Sequence, residues 1–115
     1  MTQRRDSTDH LPLHPWDFRI LLVLLNGPSY GTGIVAEIEA HESGGRRIYP
    51  ANLFRRIRDL LAKGLLEESP SPEGADPRRT YVCLTPLGHA VAVAEGGRLR
   101  ALVEEADRRA LPSSP

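Results

Sequence analysis

The chain has 115 residues, with 15 Lys+Arg balanced by 15 Asp+Glu and a single cysteine, which limits it to one domain with one core and no internal disulfide. Its first residues carry an Arg pair with no apolar stretch behind it, and the longest apolar run, Ile20 to Leu25, is far below the roughly 20 residues that span a bilayer. These totals exclude a disulfide-built secreted scaffold and a transmembrane protein, and the expectation is a soluble, cytoplasmic protein with no membrane partner.

Residues 1–10 are polar and unpatterned, and residues 111–115 are rich in Pro and Ser, so both ends are expected to be disordered. Pro15 suits the first turn of a helix through Trp16, Ile20, Leu21, Val23, Leu24 and Leu25, stopped by Gly27-Pro28. A second helix, short and acidic, is expected from Thr32 to about Glu42, with Ile34, Val35 and Ile38 at helical spacing and Ser43-Gly44-Gly45 ending it. A third starts at Pro50 or Ala51 and stops at Gly64, where a C′ glycine belongs.

The third helix is the most informative stretch. At about 100° per residue, Leu53, Phe54, Ile57, Leu60 and Leu61 share about a third of the circle, while Asn52, Arg55, Asp59 and Ala62 point the other way and Arg56 and Arg58 flank the edges. Between Arg46 and Lys63 there are six basic residues (Arg46, Arg47, Arg55, Arg56, Arg58, Lys63) and one acid, Asp59, in a chain that is neutral overall. Positive charge concentrated on one face of an apolar-backed helix points to nucleic-acid phosphate.

Beyond Gly64 the period changes. Residues 65–69 (LLEES) and 79–85 (RTYVCLT) are expected to be strands joined by PSPEGADPR, whose three prolines and one glycine demand a loop. From Pro86 the helical period returns, with Leu87, Val91, Ala94, Leu99, Leu102, Val103 and Ala106 on one stripe, a candidate kink at Gly96-Gly97 and an end near Ala110. Three helices followed by a hairpin is the order of a winged helix-turn-helix: a mainly α fold with a small β hairpin, plus a C-terminal dimerisation helix. The expected layout is a disordered N-terminus at 1–10, the DNA-binding domain at 11–85, the dimerisation helix at 86–110 and a disordered tail at 111–115.

The segments ILLVLLNGPSYG (Ile20 to Gly31), GGRRIYPANLFRRIRDLLAKGLLEE (Gly44 to Glu68) and PRRTYVCLTPLG (Pro77 to Gly88) resemble the PadR family of bacterial transcriptional regulators. The resemblance covers roughly Leu13 to Arg108 and implies a dimeric, repressor-like DNA binder of the short type, with a single C-terminal helix. The sequence departs from the family pattern at Asn52 and Phe54, where the recognition helix often carries Thr and Tyr, and at Thr32, where many relatives have an aromatic residue. Its only tryptophan is Trp16 on the first helix, so drug sensing through a tryptophan on the C-terminal helix does not carry over.

Asn52 and Arg55 project from the first turns of the third helix, where an amide can pair with adenine N6/N7 and a guanidinium with guanine O6/N7; plain solvated surface is the alternative. Arg56 and Arg58 are expected on phosphates, which position a protein without reading sequence, and Arg46, Arg47 and Tyr49 are candidates for backbone contact. The hairpin tip carries Glu73 and Asp76, so the contribution of the wing is assigned to Arg78 and Arg79 at its base. Leu99, Leu102, Val103 and Ala106 extend past what a three-helix core covers and call for a second copy, with Leu11, Leu13 and Trp16 packing on its terminal helix.

Other signals are declined. Gly31-x-Gly33 follows no expected strand and reads as a helix-start turn, Pro12 between His10 and His14 rules out a helical metal pair, and Cys83 reads as a small buried hydrophobe. No acid/base pair or convergent polar set suggests an enzyme, and no cofactor is expected. The reading is a homodimeric DNA-binding repressor with a palindromic operator. Its rivals are a winged-helix protein-interaction module and a ligand-gated sensor with a small-molecule effector at the dimer interface.

Overall fold

The computed structural model describes residues 7–42 and 50–109. Four helices and a small antiparallel sheet form around one core: α1 (Pro15–Leu24), β1 (Ser29–Tyr30), α2 (Gly31–Ala40), α3 (Pro50–Ala62), β2 (Leu66–Ser69), β3 (Tyr81–Leu84) and α4 (Pro86–Arg108). Among the described residues no helix is long and apolar enough to cross a membrane.

α1 begins as its sequence dictates, with Pro15 in its first turn and the His14 ring nitrogen Nδ1 accepting the Trp16 N–H at 3.1 Å. Ser7 to His10, within the stretch expected to be disordered, instead form a turn closed by the Leu11 N–H donating to the Thr8 carbonyl at 3.1 Å, and Ser7 is buried. Residues 1–6 and 110–115 lie outside the described residues. α3 ends in a Schellman motif: Gly64 takes φ +79°, its N–H donates to the Leu61 carbonyl at 3.1 Å, and the Leu65 N–H reaches the Leu60 carbonyl at 3.0 Å.

The sheet has the order β1-β3-β2. β2 and β3 form the expected hairpin, shorter than its apolar pattern suggested, with Leu66 opposite Leu84 and Ser69 opposite Tyr81. β1 was not expected. Two residues carry no periodicity, and Ser29-Tyr30 become a strand only because β3 offers its free edge, pairing Tyr30 with Tyr81.

α4 runs unbroken through Gly96-Gly97, where the helical hydrogen bonds carry the cost of two glycines. Its start is fixed by Thr85, whose Oγ1 accepts the Gly88 N–H at 2.9 Å and donates to the Gly64 carbonyl at 2.6 Å. Gly88 then lies against the Leu65 backbone so closely that a Cβ there would stand 2.0 Å from the carbonyl oxygen. The core is built from Ile20, Leu21 and Leu24 of α1, Ile34 and Ile38 of α2, Leu53 and Leu60 of α3, Leu65, Leu66 and Val82 of the hairpin, and Val91 of α4.

Candidate nucleic-acid interface

α3 is seated by Leu53, Ile57 and Leu60, all buried, which turns the opposite face outward. Asn52, Arg55, Arg58, Asp59 and Ala62 are exposed there. Arg58 has no acidic partner among the described residues, so its charge is available to a ligand. The Arg55 guanidinium nitrogen Nη2 donates to Asn52 Oδ1, so the two residues form one polar unit on the first turns of the helix. Phe54 sits at the margin of the apolar stripe, 37% exposed. Its ring lies over Gly31 at the start of α2, where a Cβ would come within 2.6 Å of it. α2 and α3 are thereby locked edge to edge.

Arg56 does not join this face. Its Nη1 lies 3.2 Å from Asp17 Oδ1 of α1, and both side chains are largely covered. Arg56, expected on phosphate, is paired here with an acid of its own fold, and that pair braces α3 against α1. Arg46, Arg47 and Tyr49 lie outside the described residues.

At the wing, Arg78 is bound to Asp76 through Nη2 at 3.0 Å and Nε at 3.2 Å, while its backbone N–H also donates to Asp76 at 2.9 Å. These bonds, the Arg78 side chain first, hold the Asp76 carboxyl below its ordinary 3.8. The Arg78 side chain is nonetheless 89% exposed. Arg79 lies with its guanidinium carbon 4.1 Å from the centroid of the Tyr30 ring, which meets Tyr81 edge-on at 5.3 Å. The base of the wing is thus a stack of a cation and two rings running from β3 to β1. Sequence patterns missed this stack because it depends on the unexpected β1 pairing.

The terminal helix has two regimes. Gly88, Val91, Ala92 and Glu95 are buried against the core, whereas Leu102 and Val103 are 50% and 60% exposed and Leu99 and Ala106 half-buried. Leu11, Leu13 and Trp16 pack their inner sides against their own core, leaving only their outer sides to a partner. Sequence reading also missed Glu95. The residue is 1% exposed, and its side chain accepts the Leu13 N–H at 3.1 Å and is paired with Arg98. The signal was present: an acid in the fourth place of an i, i+3, i+4, i+7 buried stripe.

The model of the transcriptional regulator PadR-like family matches residues 20–94, from α1 to the middle of α4. The chain belongs to this PadR-like family. Solved structures share its fold. A PadR family regulator from Clostridium difficile superposes with a TM-score of 0.73 at 17% identity, over 85% of this chain and 100% of that one. The RosR protein of H. salinarum, in its S1 complex, is 32% identical, with a TM-score of 0.64 over 90% of this chain and 86% of that one. The regulator BldR from Sulfolobus solfataricus gives 0.67 at 22% identity, over 90% and 67% of the two chains. No curated protein sequence matches significantly. As in the PadR fold, the helix-turn-helix pair is α2 and α3, the wing is β2–β3, and α4 follows as the single C-terminal helix.

Proposed function

We propose that this PadR-like chain is a homodimeric, sequence-specific DNA-binding repressor that reads a palindromic operator and performs no catalysis. The observation that carries the reading is the outward face of α3, where Asn52, Arg55 and Arg58 are exposed on a helix seated by three buried apolar residues. A helix presented in this way fits the major groove, with its N-terminal residues at base edges. Arg58 would meet phosphate. Arg79, held over Tyr30, would brace the flanking backbone, and Arg78 would join it by exchanging Asp76 for phosphate. In the dimer, the exposed Leu102 and Val103 would meet their counterparts or the outer side of α1. The two α3 helices would then lie about one DNA turn apart, roughly 34 Å.

Binding to the DNA upstream of the chain's own gene, titrated at two salt concentrations with competitor DNA, tests the central claim. Tight, salt-steep binding that survives competitor is the expected result. Absence of binding at low salt would transfer the α3 arginines to a protein partner and refute it. Sedimentation of Leu102→Glu and Val103→Glu tests the dimer, both variants being expected to run as monomers.

One observation favours a ligand-responsive version. A groove of about 410 Å³ lies between α1 and α4, lined by Leu13, Phe18, Leu22, Leu99, Glu95 and Arg98 among others, a size that suits a small apolar molecule with a polar end. A thermal-shift screen that finds a stabilising compound, and loss of operator binding in its presence, would establish gating.

A further inference from the structure

The bond between Arg55 and Asn52 changes what α3 can read. Adenine is recognised by an amide whose oxygen accepts from N6 while its nitrogen donates to N7. In this chain Asn52 Oδ1 already accepts from Arg55 Nη2. Its second lone pair remains, but an adenine N6 amino group, itself a donor, would have to approach beside a cationic guanidinium. Apart from that lone pair, the two side chains offer only donors: the Asn52 amide N–H₂ and the unused N–H groups of Arg55. A donor-rich array matches acceptors, and the base that presents two adjacent acceptors in the major groove is guanine, through O6 and N7.

The bond also aims Arg55. An exposed arginine at this position could turn toward either end of the helix, and Asp59, one turn further on, would draw it away from the N-terminal end. Instead Arg55 is bonded back to Asn52 and to no acid among the described residues. That brings the guanidinium to the end of α3 that reaches base edges in a helix-turn-helix.

We propose that Asn52 and Arg55 read one guanine per half-site as a unit, Arg55 making the base contact and Asn52 acting as a positioning residue that holds it, with no adenine read through Asn52. This rests on the DNA-binding reading above. The experiment is selection from a duplex library randomised around an inverted repeat, using the full chain and the variants Arg55→Ala, Asn52→Ala and Asn52→Asp, followed by affinity measurements on the selected sites. Wild type should select guanine, and replacing it with 7-deazaguanine, which removes N7, should weaken binding about tenfold or more. Arg55→Ala should be indifferent to both the guanine and its N7. Asn52→Ala should keep guanine as the preferred base with several-fold weaker discrimination, because Arg55 is released. Asn52→Asp should restore the discrimination, since a carboxylate also accepts from Arg55. An adenine at this position, lost in both Asn52 variants and kept in Arg55→Ala, would overturn the proposal while leaving the regulator reading intact. A flat titration of wild type against every duplex at low salt would refute the regulator reading itself, and this proposal with it.

Discussion

Removal of the Glu95 carboxylate tests whether the segment before α1 is held to the terminal helix by charge. Glu95→Ala takes away the acceptor of the Leu13 N–H, 3.1 Å from Oε2, and the partner of Arg98, 2.9 Å from the same oxygen. A hydrogen bond to a charged group contributes about 1.5–3 kcal/mol, and the Leu13 donor lies in a half-buried segment where water replaces the lost partner poorly. The Arg98 side chain is 35% exposed, so solvent takes over its guanidinium and the Leu13 bond dominates the loss. The expected loss is about 2–3 kcal/mol for Glu95→Ala and about 1 kcal/mol for Glu95→Gln, which keeps one acceptor. Urea unfolding at fixed protomer concentration reads this as a lower midpoint at unchanged slope. A loss under about 0.5 kcal/mol with an unchanged slope would show that both bonds exchange for water without net gain, and would refute the reasoning. The pH dependence supplies an independent check. The Arg98 side chain first, then the Leu13 N–H, outweigh burial and hold the Glu95 carboxyl below its ordinary 4.5. The folded state therefore favours the ionised form, and the stabilisation is fully present above about 4.5 and lost as pH falls below it through the depressed folded value. The stability gap between wild type and Glu95→Gln should close over that acidic range and stay constant near neutrality.

Gly88→Ala should destabilise by about 3 kcal/mol or more, because its Cβ meets backbone that cannot rotate away; a melting temperature within a few degrees of wild type would contradict that approach. Arg58→Ala should weaken binding to operator and random duplex alike and lower the salt slope by about one, whereas a change in base preference would reassign it to readout. Tyr30→Leu should weaken duplex binding by about 0.5–1 kcal/mol while Tyr30→Phe keeps the ring under Arg79 and binds as wild type. Equal affinities for the two variants would show that the stack contributes nothing.

Periodicity located α1, α2 and α3 because each buries one stripe, and α4 because its apolar period continues past the part that the core covers, while the glycine signal at Gly64 marked the end of α3 to the residue. What escaped has one cause. β1, the Tyr30–Arg79 stack, the Asp17–Arg56 brace and the Leu13–Glu95 bond each join residues far apart in sequence through a single contact, and a single contact leaves no period. The charge density of α3 pointed to an anionic target, yet it could not separate the arginine paired within the fold from those without an acidic partner. Arg56 and Arg58 are two residues apart and equally basic, and only the position of Asp17 separates the one that is paired within the fold from the one that is not.

The same long-range contacts determine how α3 is carried. Its N-terminal half is keyed to α2 by Phe54 on Gly31 and to α1 by Arg56 on Asp17. Its C-terminal end is joined to α4 through Thr85, which donates to the Gly64 carbonyl from its side chain and to the Leu65 carbonyl from its backbone. α4 is a single rod of 23 residues, roughly 34 Å at 1.5 Å per residue, attached at its start to α3, at Glu95 to the segment before α1, and carrying the exposed Leu102 and Val103 beyond both attachments. In the proposed dimer, a rod fixed at one end to α3 and at the other to a partner copy would leave the spacing of the two α3 helices little freedom. Beside the packing of α4 on α1 lies the groove whose lining includes Leu13, Glu95 and Arg98. In the ligand-responsive reading proposed above, a molecule filling it would bear on Leu13, Glu95 and Arg98 together, the residues that tie α4 to the segment before α1.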